Sequence, residues 1–211
     1  MNIRNSISGS LKGILTAVLI SVLTTPVVMA QGNAQAGADK IAICAACHGP
    51  TGNDSVLPNV PKLGGQSETY LLKQLQEIKS GVRAAPLMAG ILNNLNDQDL
   101  ADIAAHFATV AAPLGAVDET KRELGEKLYR AGDASIGVAA CSACHSVDGK
   151  GNNAAGFPAL SGQDVAYTEL QLKAFRAGER NNDAAEIMRM IAARLNDTEI
   201  AALASYVFGL R

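Results

Sequence analysis

Apolar residues recur at helical spacing along much of the chain, with polar residues between them. Within residues 67–80 they fall on one face, at Leu71, Leu72, Leu75 and Ile78. This spacing predicts an amphipathic α-helix with Gly81 as its C-cap, because glycine readily adopts the backbone conformation that ends a helix. A counterpart is predicted from its N-cap Asp164 to its end at Gly178.

Another helix is predicted near the end of each half of the chain. Asn96 and Asn196 suit the N-cap, where a short polar side chain accepts hydrogen bonds from the first turn. The stripes that follow are apolar, at Leu100, Ile103, Phe107 and Val110 and at Ile200, Leu203 and Val207. Residues 50–65 are rich in Gly, Pro and Asn and predict a loop. No segment shows a convincing strand pattern, so the sequence predicts an all-α fold.

Residues 1–30 have the order of a secretory signal peptide. Arg4 and Lys12 form a basic start, an apolar run follows, and Val28-Met29-Ala30 presents small or medium residues at a cleavage site. The alternative is a membrane anchor, but the run contains a proline and is shorter than the ~20 apolar residues that a spanning helix needs. The sequence therefore predicts cleavage and a mature protein, residues 31–211, in a bacterial periplasm or an equivalent space.

Composition narrows the class of protein. The chain has 211 residues, of which 48% are hydrophobic and 18% charged, a balance unlike that of a disordered chain. The formal net charge of -2 gives no basic field, so nucleic acid is not expected as a partner. Only 4% of the residues are aromatic, and none is tryptophan. A chain this poor in large side chains needs another source of apolar bulk to fill its interior.

Every cysteine lies in one of two C-x-x-C-H motifs, which consist of Cys44, Cys47 and His48 and of Cys141, Cys144 and His145. This is the attachment pattern of a c-type haem. Two thiols one helical turn apart can form thioethers with the two vinyl groups on one porphyrin edge, and the adjacent imidazole can bind the iron. The sequence therefore predicts two covalently bound haem c groups.

Other known uses of paired cysteines explain this pattern less well than haem attachment does. Exported proteins commonly form disulfides, but disulfides do not explain the repeated spacing. A thioredoxin-like redox motif is expected once, after a strand, and without a following histidine. A zinc site would need both pairs to converge on one metal, and it leaves the histidine after each pair unexplained.

The two motifs belong to a long internal repeat, which predicts two domains. An offset of 97 residues superposes the motifs. Nine further residues of the first half have an identical residue 97 positions later: Pro61, Leu63, Gly65, Gln66, Tyr70, Gln74, Leu75, Gly81 and Arg83. The second half then gains three residues, Asn181-Asn182-Asp183, after which the offset is 100. We expect the boundary near Pro113-Leu114-Gly115-Ala116, which gives domains 31–113 and 114–211.

Each predicted haem iron needs a second axial ligand or an open face. A methionine gives a six-coordinate iron with a raised reduction potential, which suits electron transfer, whereas an open face suits the activation of small ligands. Met88 and Met188 occupy equivalent positions, eight residues before Asn96 and Asn196. The alternative is that they are flexible core filler. The predicted iron ligands are His48, Met88, His145 and Met188.

Two other residues are of a type that could bind the haem iron. Met190 lies two residues after Met188, so on a helix the two side chains point to different sides. Met190 aligns with Gly90, which offers no side chain in the first half, and Met188 is therefore preferred. The third histidine, His106, aligns with Tyr206 in a predicted terminal helix. It is interpreted as a structural or surface residue.

Two prolines recur 13 residues after the motif histidines, Pro61 after His48 and Pro158 after His145. Their carbonyls could accept the proton on the imidazole nitrogen that does not bind iron, which would fix the ring's tautomer and orientation. The alternative is that both are ordinary loop prolines.

An arginine and a tyrosine also recur in each half, as Arg83 and Arg180 and as Tyr70 and Tyr167. The arginines could pair with haem propionates or lie solvated at the surface. The tyrosines could donate to the same propionates or simply pack.

The two C-x-x-C-H motifs, the Pro-x-Leu and Gly-Gln pairs after each, and the Leu-Asn-Asp before each final helix resemble the di-haem cytochrome c4 family. Residues 70–75 and 157–160 fit the same family, and the resemblance covers essentially the whole mature chain. It implies a tandem repeat of two class I cytochrome c domains, each wrapped around one covalent haem. It also implies His/Met ligation at both irons and an interface where the haem propionate edges approach each other.

These features predict a periplasmic electron carrier and not an enzyme. The resemblance implies a respiratory chain, redox proteins as donor and acceptor, electron delivery towards a membrane-bound terminal oxidase, and at most peripheral association with a membrane. Two alternatives stay open. One is a di-haem redox enzyme such as a peroxidase, which would need an open axial face. The other is a bound electron-transfer subunit of a periplasmic dehydrogenase.

Overall fold

The computed structural model describes residues 31–55, 57–112 and 115–211. The predicted signal peptide lies outside these residues, as do Pro113 and Leu114 at the predicted domain boundary. The described residues form nine α-helices: α1 Ala34–Ala38, α2 Ala42–His48, α3 Glu68–Lys79, α4 Asp97–Thr109, α5 Arg122–Ala131, α6 Ser142–His145, α7 Val165–Ala177, α8 Ile187–Ala192 and α9 Asp197–Gly209. There are also two 3₁₀ turns. Pro86–Met88 contains Met88, and Ala184–Glu186 directly precedes α8, which contains Met188.

The predicted all-α fold is confirmed. In the described part of the chain, β structure is limited to the isolated bridges Asp133–Val138 and Asn152–Phe157. Helices α1 to α4 form a first domain, and α5 to α9 form a second domain. Over the same ranges, no helix combines the length and the apolar character needed to cross a membrane.

The helix ends lie close to where the sequence places them. Helix α7 begins after Asp164, whose side chain accepts from the Tyr167 amide, and it ends at the left-handed Gly178, as predicted. Helix α3 was predicted to have Gly81 as its C-cap, but the C-cap is Ser80. Gly81 follows with φ of 79°, so the glycine relieves the turn one residue later than expected.

The final helix of each domain begins with a reciprocal capping box. The Asn96 side chain accepts from the Asp99 amide, and the Asp99 carboxylate accepts from the Asn96 amide. Asn196 and Glu199 form the same pair at α9. Both asparagines are therefore N-caps, as predicted.

Each domain is built on the crossing of its first and last helices, α1 with α4 and α5 with α9. A glycine allows the close approach in both cases. A Cβ at Gly37 would overlap the Asp102 carbonyl, and one at Gly125 would overlap the Ala202 carbonyl. The repeat thus extends to this crossing, which the sequence comparison had not identified.

The predicted apolar stripes of α4 and α9 lie in two separate cores. Leu100, Ile103 and Phe107 are buried, and Val110 packs at the edge of the same cluster. The second domain has the larger core, made of Leu128, Tyr129, Val138, Leu195, Ile200, Leu203, Tyr206, Val207 and Leu210.

The two domains meet through two equivalent glutamines. Gln66 Nε2 donates to the Ala159 carbonyl at 2.8 Å, and the Ala159 amide donates back to Gln66 Oε1 at 2.7 Å. Gln163 makes the same pair of bonds with the main chain of Lys62, at 2.9 Å each. Because the repeat pairs Gln66 with Gln163, the interface has an approximate two-fold symmetry.

The recurring arginines and tyrosines continue this symmetry. Arg83 Nη2 donates to the Tyr167 hydroxyl at 2.9 Å, and Arg180 Nη2 donates to the Tyr70 hydroxyl at 2.8 Å. Burial alone would raise the pKa of Tyr70, but the guanidiniums of Arg180 and Arg83 outweigh it and lower that pKa. Both arginines are half-buried between the domains, so the interpretation as solvated surface residues is wrong.

We expect the two glutamines to protect different amides. Gln163→Ala removes the acceptor of the Lys62 amide, and Gln66→Ala removes that of the Ala159 amide. Leaving an amide unpaired costs about 1–3 kcal/mol where the group is fully buried and less at this partly buried interface, so each variant should unfold at a moderately lower denaturant concentration. Hydrogen exchange should show lost protection at Lys62 in the first variant and at Ala159 in the second. Each variant is the control for the other, and equal loss at both amides in both variants would contradict this local account.

Candidate functional site

Helix α2 carries the first C-x-x-C-H motif. Its short helical run places Cys44 and Cys47 three residues apart, which puts their side chains on neighbouring positions of one face. His48 is the last residue of the helix and is buried. Its Nδ1 lies 2.8 Å from the carbonyl oxygen of Pro61.

The second motif has the same geometry in the second domain. Cys141 is the N-cap of α6, and Cys144 and His145 lie within the helix. His145 is also buried, and its Nδ1 lies 2.9 Å from the carbonyl oxygen of Pro158. The proline carbonyls therefore hold the imidazoles in both domains, as predicted.

These contacts define the chemical state of both histidines. A carbonyl oxygen only accepts, so Nδ1 must carry the proton in His48 and in His145. Burial lowers the pKa of both imidazoles, although the proline carbonyls oppose this effect. Each ring is therefore neutral at neutral pH, with the lone pair of Nε2 available to a metal.

The cysteines suit covalent attachment rather than a shared metal site. All four are free of disulfides. Burial raises the pKa of the Cys44 thiol, and it raises that of Cys141 to about 11. Among the residues that the structure describes, no group of three or more His, Cys, Asp or Glu is placed so that it could hold a metal ion. Two thiols and one neutral imidazole on a single helix fit a c-type haem in each domain.

The predicted methionine ligands lie in differently built segments. Met88 ends the 3₁₀ turn Pro86–Met88 and is half-buried. Met188 lies in α8 and is also half-buried, whereas the side of α8 that carries Met190 faces outwards, with 56% of that residue exposed.

The chain enters α8 through an uncommon backbone turn. Ala185 and Glu186 have φ angles of 50° and 61°, a left-handed conformation that costs energy in residues with a Cβ. The equivalent approach to Met88 contains a proline instead.

The third histidine stands apart from both motifs. His106 lies on α4, where its ring makes an edge contact with Phe107 at a centroid distance of 5.2 Å. This position agrees with the structural interpretation of the residue.

Sequence reasoning missed one residue beside the second motif. Tyr129 is fully buried, and its hydroxyl donates to the Ser146 carbonyl at 2.7 Å, which fixes the chain just after His145. Alignment of Gly37 with Gly125 pairs Tyr129 with Ile41, so the first domain has no equivalent bond. The repeat therefore gave no signal for it.

Comparisons with known proteins extend the agreement to the whole described fold. The Cytochrome c family model matches residues 34–111 and 123–211. Cytochrome c4 of Azotobacter vinelandii is 50% identical over 196 residues, which cover 88% of this chain and 93% of that protein. The crystal structure of reduced recombinant cytochrome c4 from Pseudomonas stutzeri superposes with a TM-score of 0.83 at 49% identity. It covers 85% of this chain and 100% of that one.

A more distant relative has a name of a different kind. A thiosulfate dehydrogenase electron acceptor from Stutzerimonas stutzeri strain A1501 is 35% identical over 176 residues. The match covers 82% of this chain and 81% of that protein.

These findings confirm the predicted tandem of cytochrome c domains and the two covalent haem c groups. They also confirm an electron-carrying role, and the peroxidase alternative is wrong because the relatives are electron-transfer proteins rather than enzymes. With two segments matched by the Cytochrome c family model and half of the aligned residues identical, the chain belongs to the cytochrome c4 family of di-haem electron-transfer proteins.

Proposed function

We propose that this protein is a periplasmic carrier that relays electrons between its two haems. The observation that supports this best is that each motif histidine is linked to the interface between the domains by a short route. His48 is held by the Pro61 carbonyl, and the next residue, Lys62, is bonded to Gln163 across the interface. The path from His145 is equivalent, through Pro158 and Ala159 to Gln66. Each histidine is thus one residue removed from an interdomain bond.

Each domain supplies its haem with the same set of residues. Cys44 and Cys47 in the first domain, and Cys141 and Cys144 in the second, would hold the haem through thioethers. The iron ligands would be His48 with Met88 and His145 with Met188. When bound, haem iron with these ligands supplies reversible one-electron chemistry at a raised potential. The chain's own residues hold the imidazole protons at Nδ1 and exclude water from the buried histidines.

The limits of the mature protein belong to the same proposal. Residues 1–30 would be removed on export, and the domains would comprise residues 31–113 and 114–211. The apolar run, the basic start and the cleavage-site residues support export. The repeat and the two matched segments support two units of this size.

Two classes of partner fit an electron carrier of this family. We propose donor and acceptor redox proteins of a respiratory chain, with electrons moving towards a terminal oxidase. The relative that is named an electron acceptor of thiosulfate dehydrogenase supports the alternative of a periplasmic dehydrogenase as donor. Native mass after gentle purification separates a permanently bound dehydrogenase subunit from a free carrier.

We expect electrons to equilibrate between the domains within one molecule. After rapid reduction by a substoichiometric donor, stopped-flow spectra should show a redistribution phase with a rate independent of protein concentration, because the interface holds the domains together. Peroxide turnover should be negligible, since each iron has two protein ligands. A redistribution rate that rises with protein concentration would mean exchange between molecules and would reject the relay.

We expect Met188, and not Met190, to bind the second iron. Met188→Ala should abolish the weak near-infrared charge-transfer band of the oxidised second haem and lower its potential, because a thioether ligand favours ferrous iron. Met190→Ala is the matched control and should keep the band, with a change in unfolding free energy within ~0.5 kcal/mol because the residue is exposed. The reverse pattern would show that the three-residue insertion shifted the ligand.

A further inference from the structure

The insertion Asn181-Asn182-Asp183 is the main break in the repeat, and it lies just before the Met188 segment. Asn181 is exposed, whereas Asn182 is 9% exposed and the side chain of Asp183 is 5% exposed. Three added residues in which one polar side chain is buried need a structural explanation, because a buried amide is costly unless it is hydrogen-bonded.

The buried amide of Asn182 is bonded to the first domain. Its Nδ2 donates to Gln74 Oε1 at 2.9 Å and to Glu77 Oε2 at 2.6 Å. The main-chain carbonyl of Asn182 accepts from Lys73 Nζ at 2.8 Å. All three partners lie on α3, so a residue of the second domain is held by one helix of the first.

This contact has no symmetric counterpart. At the offset of 97 residues, Lys73 and Glu77 pair with Leu170 and Ala174, which have no charged group to offer. The first domain also lacks the three inserted residues. The clasp between Asn182 and α3 therefore acts in one direction only, on the second domain.

The next residue connects the clasp to α8. The Asp183 carboxylate accepts from the Arg189 amide at 3.0 Å and from Arg189 Nε at 2.7 Å. Arg189 follows Met188 directly. Adjacent residues of the insertion thus bind α3 of the first domain on one side and the methionine helix of the second domain on the other.

We infer that Asn182 is a positioning residue, which uses the surface of the first domain to hold the Met188 helix in place for the second haem. The inference rests on the proposed assignment of Met188 as an iron ligand. It makes ligation in the second domain depend on contact with the first domain, while ligation by Met88 lacks this dependence. Loosening the clasp should therefore affect one haem and leave the other unchanged.

The test uses Asn182→Asp in the full, haem-loaded protein, because this change places a carboxylate against Glu77. Both oxidised haems should contribute to the near-infrared charge-transfer band. In Asn182→Asp, the contribution of the second haem, which Met188→Ala removes, should be reduced or lost. The contribution of the first haem, which Met88→Ala removes, should be kept. The matched control is Asn181→Asp, which adds the same charge at the exposed neighbouring position and should keep both shares. A stepwise redox titration should show the same selectivity, with only the potential of the second haem lowered beyond its value in the control.

A second variant separates positioning from charge and from a folding defect. Glu77→Gln on its own keeps an acceptor for Asn182 and should have little effect. Combined with Asn182→Asp, it supplies an amide donor facing the new carboxylate and should restore the band. If Asn182→Asp does not fold, Glu77→Ala in the other domain should cause the same selective loss of the second haem's share.

Three results would overturn the inference. These are an intact band in Asn182→Asp, equal changes at both haems, or failure of the double variant to restore the band. An unchanged band in Met188→Ala would have a different meaning, because it would reject the ligand assignment and the clasp's role together. If Met188→Ala removes the second haem's band and Asn182→Asp does not, the role of Asn182 is rejected and the assignment of Met188 as a ligand stands.

Discussion

The hydrogen bond from each motif histidine to a proline carbonyl is the constraint on which the rest of the structure depends. It sets Nδ1 as the protonated nitrogen of His48 and His145 and leaves Nε2 as the ligand. It also ties the helix that carries the cysteines to a loop distant in sequence. The same loop passes, one residue later, into the domain interface. In both domains, the same loop therefore contacts the haem-binding histidine and forms part of the domain interface.

Sequence duplication explains why the interface is polar and reciprocal. When two copies of one surface meet around an approximate two-fold axis, every contact is made twice, with the equivalent residues of the two copies exchanged. Glutamine, which both donates and accepts, can satisfy a main-chain amide and carbonyl from either side. Arginine and tyrosine likewise serve twice, since Arg83 meets Tyr167 and Arg180 meets Tyr70. The symmetry ends where the repeat is interrupted, at Asn182.

Local chemistry could be predicted from the sequence, and contacts between domains could not. The haem motifs, the N-caps Asn96 and Asn196 and the apolar stripes depend on short spacings, and the structure has them where expected. The end of α3 differs by one residue because Ser80 still has helical angles and the turn comes at Gly81. The role of Arg83 was missed because its partner is 84 residues away. The repeat showed that this arginine recurs, but not what it faces.

A polar interface of this kind fixes geometry more than it adds stability. Each hydrogen bond replaces one with water, so its net contribution is only about 0.5–1.5 kcal/mol, whereas an unpaired buried group costs about 1–3 kcal/mol. Within the described residues, every buried side-chain nitrogen and oxygen has a partner. A sliding or rotation of one domain over the other would break several of these pairs at once. Other relative orientations of the two domains therefore lose more free energy than the native hydrogen bonds contribute. As a result, the two domains have one preferred orientation. A fixed orientation is what a di-haem protein needs, because electron transfer between its haems depends on how they are placed relative to each other.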